Sequence, residues 1–274
     1  MADGTQSFNW HLARQYAQLV LIAYSVKPRK SYTKTARQRI ERAGYEFLTA
    51  IYGSDLATDA NPFSGETVTF GFVARGKGGE LVAVLRGTEG IFEWFKDLEF
   101  GWAKNPITGG KGRTEDGFTA IYRSLRVGPA RSTKAVVEVV AEMAGAGGVT
   151  ITGHSLGGAL ATLLGLDVAL NAGVGAPEVY TFASPRVGCG EFREQYDAVV
   201  PRTYRVFNHT DLVPKQPPLL YAHVGMAQEL RELEAEERES FARAHFLETY
   251  LALVEEQIGV GGRADQAGSG QPTT

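Results

Sequence analysis

The 274-residue chain has one cysteine, Cys189, so no disulfide can form within it and the fold must stand on its core. No signal peptide is visible, which is compatible with a cytoplasmic location or with secretion after removal of a signal. Long apolar runs are also missing. Leu19-Val20-Leu21-Ile22-Ala23 is far shorter than the ~20 residues a membrane span requires, so no transmembrane helix is expected. Clustered basic charge is lacking as well: 28 Lys and Arg stand against 31 Asp and Glu, with no stripe able to neutralise phosphates, which excludes a nucleic-acid partner. No internal repeat occurs. The acidic residues from Glu229 to Glu239 lack the spacing of an oxygen-ligand loop and read as a solvated helix face, so no metal is expected, and no organic cofactor either.

Apolar residues make up 43% of the chain, enough to bury one large core. Residues 1–258 are expected to form a single α/β domain, and 259–274, Gly-rich and almost without apolar residues, a disordered tail. Helical spacing runs from Phe8 to Tyr24 behind Ser7, and again from Thr33 to Tyr52, ending at Gly53. Thr67–Ala74 and Leu81–Leu85 flank a Gly-Lys-Gly-Gly turn and read as a hairpin. The second of these strands is apolar throughout, as a strand buried on both faces should be. Further on come a helix at Ala130–Ala144, a strand at Val149–Thr152, a helix at Leu156–Asn171, and strands at Val179–Ala183 and Tyr204–Phe207. Strands alternating with helices predict a mostly parallel central sheet with helices on both faces. Met226–Arg243 reads as helical, and so does His245–Ile258.

The stretch Thr150-Ile151-Thr152-Gly153-His154-Ser155-Leu156-Gly157-Gly158 breaks a β-branched run with the pattern G-x-S-x-G and resumes as a small-residue helix. A serine at the tip of so sharp a strand-to-helix turn needs neighbours without bulk, which Gly153 and Gly157 provide. Its hydroxyl becomes a nucleophile only when a neutral imidazole takes the proton and a carboxylate orients that imidazole. Five histidines compete. His154 is adjacent to Ser155 and points away from it, His11 precedes the whole sheet, and His209 is two residues from the best acid, leaving His223 and His245. That acid is Asp211, just beyond a buried strand at the carboxyl edge where an open α/β sheet keeps its crevice. The competing reading of Asp211 is a turn former within Asp-Leu-Val-Pro.

Taken in order, Arg86-Gly87-Thr88, Phe92-Glu93-Trp94-Phe95-Lys96-Asp97-Leu98, Gly117-Phe118, the Ser155 motif, Ser184-Pro185-Arg186-Val187-Gly188, Asp211-Leu212-Val213-Pro214 and Ala244-His245 resemble the class 3 lipases, the fungal-type triacylglycerol lipases of the α/β-hydrolase fold. The resemblance implies Ser155 as nucleophile, Asp211 as acid and His245 as base, with His223 structural. It also implies an oxyanion hole from Thr88 and the Leu156 N–H. The activity implied is hydrolysis of carboxylic esters of lipids at a lipid–water interface; an esterase of soluble esters, such as a feruloyl esterase, and a silent lipid-binding hydrolase fold are the alternatives. Two departures stand out: Glu115 replaces what is often a histidine, and Met226–Arg243 looks more helical than the family pattern.

Between Gly90 and Gly101, a helical wheel gathers Ile91, Phe92, Trp94, Phe95 and Leu98 in one arc, with Glu93, Lys96 and Asp97 opposite. This amphipathic pattern, within a segment of about residues 89–102, starts at Ile91, three residues after Thr88. It is expected to be a lid over Ser155 whose apolar face also meets substrate.

Overall fold

The structure, a computed structural model, describes residues 8–27, 29–54, 65–88, 100–128, 134–230 and 241–268. Its centre is an eight-stranded sheet in the order β10-β9-β8-β7-β3-β2-β1-β6. The strands are β1 Tyr45–Ser54, β2 Thr67–Gly76, β3 Leu81–Leu85, β6 Arg126–Val127, β7 Val149–His154, β8 Glu178–Phe182, β9 Thr203–Asn208 and β10 Met226–Leu230. From β3 through β10 neighbouring strands are parallel, whereas β3 pairs antiparallel with β2, β2 with β1, and β1 with β6. The expected hairpin and mostly parallel sheet are therefore present. A separate two-stranded ribbon joins β4 Trp102–Lys104 to β5 Arg113–Glu115.

Helices cover both faces. Alternation along β3 shows how: Leu81, Ala83 and Leu85 face one core, Val82 and Val84 the other, and all five are fully buried. The first core takes α3 Asp116–Ser124, α4 Val136–Met143, α5 Leu156–Asn171 and α6 Gly190–Val199; the second takes α1 Trp10–Tyr24, α2 Lys34–Arg42 and α8 Leu247–Gly268, which follows the short α7 Phe241–His245. Asn9 caps α1, its side chain accepting from the N–H groups of His11 and Leu12.

Three expectations need correction. The single helix over Thr33–Tyr52 is instead α2 followed by β1. Gly44, at φ 94°, stops the helix, and the aromatic and β-branched residues after it pair with β2, so tertiary pairing overrides helical spacing. Met226–Leu230 is an edge strand, not helix, parallel to β9, entered through Gly225 (φ 66°), whose N–H donates to Asp197. The remainder of that stretch, 231–240, lies outside the described residues. Residues 259–268, expected within a disordered tail, are instead helical, because α8 continues to Gly268 and each residue added to a nucleated, docked helix gains a backbone hydrogen bond; 269–274 lie outside the described residues. The N-terminal part of the expected Ala130–Ala144 helix, 130–133, also falls outside the described residues, and α4 begins at Val136.

Candidate active site

The elbow forms as its sequence requires. β7 ends at His154, α5 begins at Leu156, and Ser155 between them holds φ 59° and ψ −128°, a left-handed conformation costing a side-chain-bearing residue on the order of 1–3 kcal/mol. The cost is met by over-determination. The Ser155 N–H donates to the Phe182 carbonyl on β8 at 2.9 Å, and helix and strand meet so closely that a Cβ on Gly153 would lie 2.1 Å from the Gly157 carbonyl oxygen. A Cβ on Gly157 would lie 2.4 Å from that of Leu85. Only glycine permits either approach.

Ser155 Oγ lies 2.9 Å from His245 Nε2, and His245 Nδ1 lies 2.8 Å from Asp211 Oδ2. All three side chains are buried. Because a carboxylate can only accept, Nδ1 carries the ring proton and Nε2 accepts from the serine hydroxyl. Asp211 is itself held on both oxygens: Oδ1 accepts from the Val213 N–H at 2.9 Å, and Oδ2 accepts also from Tyr250 Oη at 2.8 Å. The two readings of Asp211 thus hold together, since it organises its own turn and orients His245. Tyr250 hydroxyl in turn accepts the Asn208 N–H at 3.0 Å, tying α8 to the end of β9. His223 stands apart from this chain, its Nε2 donating to the Pro214 carbonyl at 2.8 Å, and burial pushes its pKa down to about 3.

His154 has a role beyond local packing. Its Nε2–H donates to the backbone carbonyl of His245 at 2.9 Å, and its Nδ1 accepts from Tyr24 Oη at 2.9 Å. Tyr24 Oη accepts the Gly87 N–H at 2.9 Å. One run of hydrogen bonds therefore joins the Arg86-Gly87-Thr88 loop to the backbone of His245. Burial, reinforced by the neighbouring His245 ring 4.8 Å away, lowers the His154 pKa well below the usual histidine value and keeps it neutral, so it does not repel a positive charge forming on His245. In the same loop, one residue after Gly87, Thr88 Oγ1 is buried and has no hydrogen-bond partner among the described residues. Leu156 contributes the first N–H of α5, a position with no intrahelical acceptor. Ile91, Phe92, Trp94, Phe95 and Leu98 lie outside the described residues, and Trp102, placed at the lid's end by the sequence, is a strand residue of β4 stacked on Tyr221 with ring centroids 4.0 Å apart.

Glu115 proves to be structural. It is fully buried as the N-cap of α3, Oε2 accepting from the Phe118 N–H at 2.6 Å while Oε1 has no partner among the described residues. Burial, with Asp116 adding to it, pushes its carboxyl up to about 8. Tyr24, Tyr250 and the linking role of His154 escaped sequence reasoning. The available signal was the tyrosines' burial on helical apolar faces, where a hydroxyl must find a partner.

A mostly parallel sheet covered on both faces, with a strained serine at a strand-to-helix turn, defines an α/β-hydrolase. Residues 82–221 match the model of the lipase (class 3) family, and the chain belongs to that family. It is 32% identical to phospholipase A1-II 4 of Oryza sativa subsp. japonica over 54% of this chain and 42% of that protein. With the secreted mono- and diacylglycerol lipase 1 of Fusarium solani it shares 30% identity over 53% of this chain and 41% of that one. The chain thus spans about two fifths of the length of these curated relatives. Among solved structures, the nonglycosylated LIP2 lipase of Yarrowia lipolytica superposes with a TM-score of 0.66 at 21% identity, covering 81% of this chain and 80% of the lipase; at that identity it is the fold that is shared.

Proposed function

We propose that this chain is a serine hydrolase that cleaves carboxylic ester bonds of lipids, acylglycerols or glycerophospholipids, through an acyl-enzyme on Ser155. The observation that carries this reading is the continuous Ser155–His245–Asp211 hydrogen-bond chain at the tip of the elbow. His245 Nε2 takes the Ser155 proton as Oγ adds to the ester carbonyl, and the Asp211 carboxylate stabilises the imidazolium through Nδ1–H. The oxyanion receives the Leu156 N–H together with the N–H and hydroxyl of Thr88, where one such donor is worth about 3 kcal/mol. His245 then gives its proton to the departing alcohol. Water, activated by the same imidazole, attacks the acyl-enzyme, releasing the fatty acid and restoring Ser155. The amphipathic pattern of Ile91, Phe92, Trp94, Phe95 and Leu98 supports a lid that covers this site in water and turns its apolar face to lipid.

Hydrolysis of triacylglycerols, diacylglycerols, phosphatidylcholine and dissolved short-chain p-nitrophenyl esters, compared in one titration assay, tests the reading. Faster turnover of the lipid esters as droplets or vesicles, abolished by Ser155→Ala, is the expected outcome. Turnover confined to dissolved esters would assign the chain to the soluble-ester esterases instead, and no turnover of any ester would leave a silent hydrolase fold.

A further inference from the structure

The loop between Asp211 and His223 carries a feature the ester chemistry does not use. Leu219 and Leu220 are 85% and 81% exposed, the two most exposed large apolar side chains among the described residues. Both hold the left-handed backbone, φ 43° and φ 57°, which branched, bulky residues adopt only under constraint. The constraints are visible on either side. Arg186 donates through Nη1 to the carbonyls of Lys215 and Pro217, the Arg186 N–H donates to the Gln216 carbonyl at 2.7 Å, and the Tyr221 N–H donates to the Leu219 carbonyl at 2.6 Å. Tyr221 also stacks on Trp102 and donates its hydroxyl to the Gly101 carbonyl at 2.7 Å. The loop is thus braced at both ends, and the strain is spent on holding two leucines in water.

We infer that Leu219 and Leu220 form a fixed apolar prong that inserts into a phospholipid surface and seats the Ser155 site against it. The inference rests on the lipid-ester reading of that site and adds to it a seat separate from the lid residues. Position supports it: Leu212, beside Asp211 at the start of the same loop, and Phe246, next in the chain to His245, are also exposed apolar residues. Charge supports it too. From Leu212 to Val224 there is no carboxylate, and the one charged residue is the exposed Lys215, suited to lipid phosphates once the leucines enter the acyl boundary. A second copy of the chain fits less well, because a stable dimer buries about 800 Å² on each partner and two projecting side chains offer only a small part of that.

The test is sedimentation of the full chain with vesicles of phosphatidylcholine, alone and with phosphatidylglycerol added, in a Ser155→Ala background so that the vesicles stay intact. Leu219→Asn with Leu220→Asn removes the apolar surface and installs a residue that tolerates the left-handed backbone, so the fold is retained, which near-UV circular dichroism verifies. Expected are binding by the parent, binding at least about 10-fold weaker in the double variant, and unchanged hydrolysis of a dissolved p-nitrophenyl ester when the same pair is made with Ser155 intact. Lys215→Glu should weaken binding chiefly to the phosphatidylglycerol vesicles. Equal vesicle binding by parent and double variant would overturn the inference. So would a parent that self-associates with loss of that association in the double variant, since the occupant would then be a second copy. Vesicle binding needs no turnover, so it stands or falls separately from the hydrolase reading.

Discussion

At the residue scale, Ser155, His245 and Asp211 are buried and hydrogen-bonded to one another, whereas the buried carboxyl of Glu115 is only half satisfied. Its carboxyl pKa, about 8 in the folded chain, lies above its ordinary value of 4.5, so the fold prefers the proton and the unfolded chain releases it first. Its stabilising contribution is therefore complete below about pH 4.5 and is lost as pH rises towards about 8, at up to about 1.4 kcal/mol per pH unit. Glu115→Gln stays neutral throughout. Urea unfolding midpoints followed across that window should fall more steeply with pH in the parent than in the variant, and parallel profiles would show that Glu115 is ionised in the fold. Comparing the two also cancels the opposite pH dependence of the buried, neutral His154 and His223. Chemistry and chain order singled out Ser155 and Asp211 as candidates but left His223 and His245 open, with only the family resemblance pointing to His245, and nothing in the sequence brings His154, Tyr24 and Tyr250 together. Those contacts link residues more than a hundred positions apart in one case, Tyr24 to His154, and no periodicity encodes such a distance.

At the element scale, what was legible followed from local rules and what failed was decided by tertiary pairing. β3, β7 and α5 could be placed to the residue or nearly so because apolar continuity, the Gly153 break and the small residues after it all agree. Ile40, Phe47 and Ile51 also satisfy a helical period, so the local pattern does not distinguish β1 from helix, and the partner strand β2 decides its form. β10 carries little strand signal for a similar reason, being an edge strand with only Leu230 fully buried. The elbow's own tolerance is narrow. Gly157→Ala places a methyl against the Leu85 backbone, where no side-chain rotation relieves it, and should destabilise the fold by about 2 kcal/mol or more while slowing ester turnover further. An unchanged urea midpoint would mean that α5 can shift away from β3 at little cost.

On the scale of the whole molecule, α1 and α8 on one face of the sheet reach the same site that α5 reaches from the other. Tyr24 comes from α1, Tyr250 from α8, and Ser155 from the turn into α5, so the Arg86-Gly87-Thr88 loop, Asp211 and Ser155 are each held by a different helix. The proposed chemistry predicts reaction through one hydroxyl. The most direct measurement is treatment of the full chain with a phosphonate ester carrying a p-nitrophenyl leaving group, followed by mass spectrometry of the peptides. One equivalent of adduct on Ser155, formed with parallel loss of ester hydrolysis and slowed on the order of 10³-fold in His245→Ala, is the predicted result. An adduct on another residue, or labelling of Ser155 at the same rate without His245, would contradict the assignment of this serine and histidine as nucleophile and base.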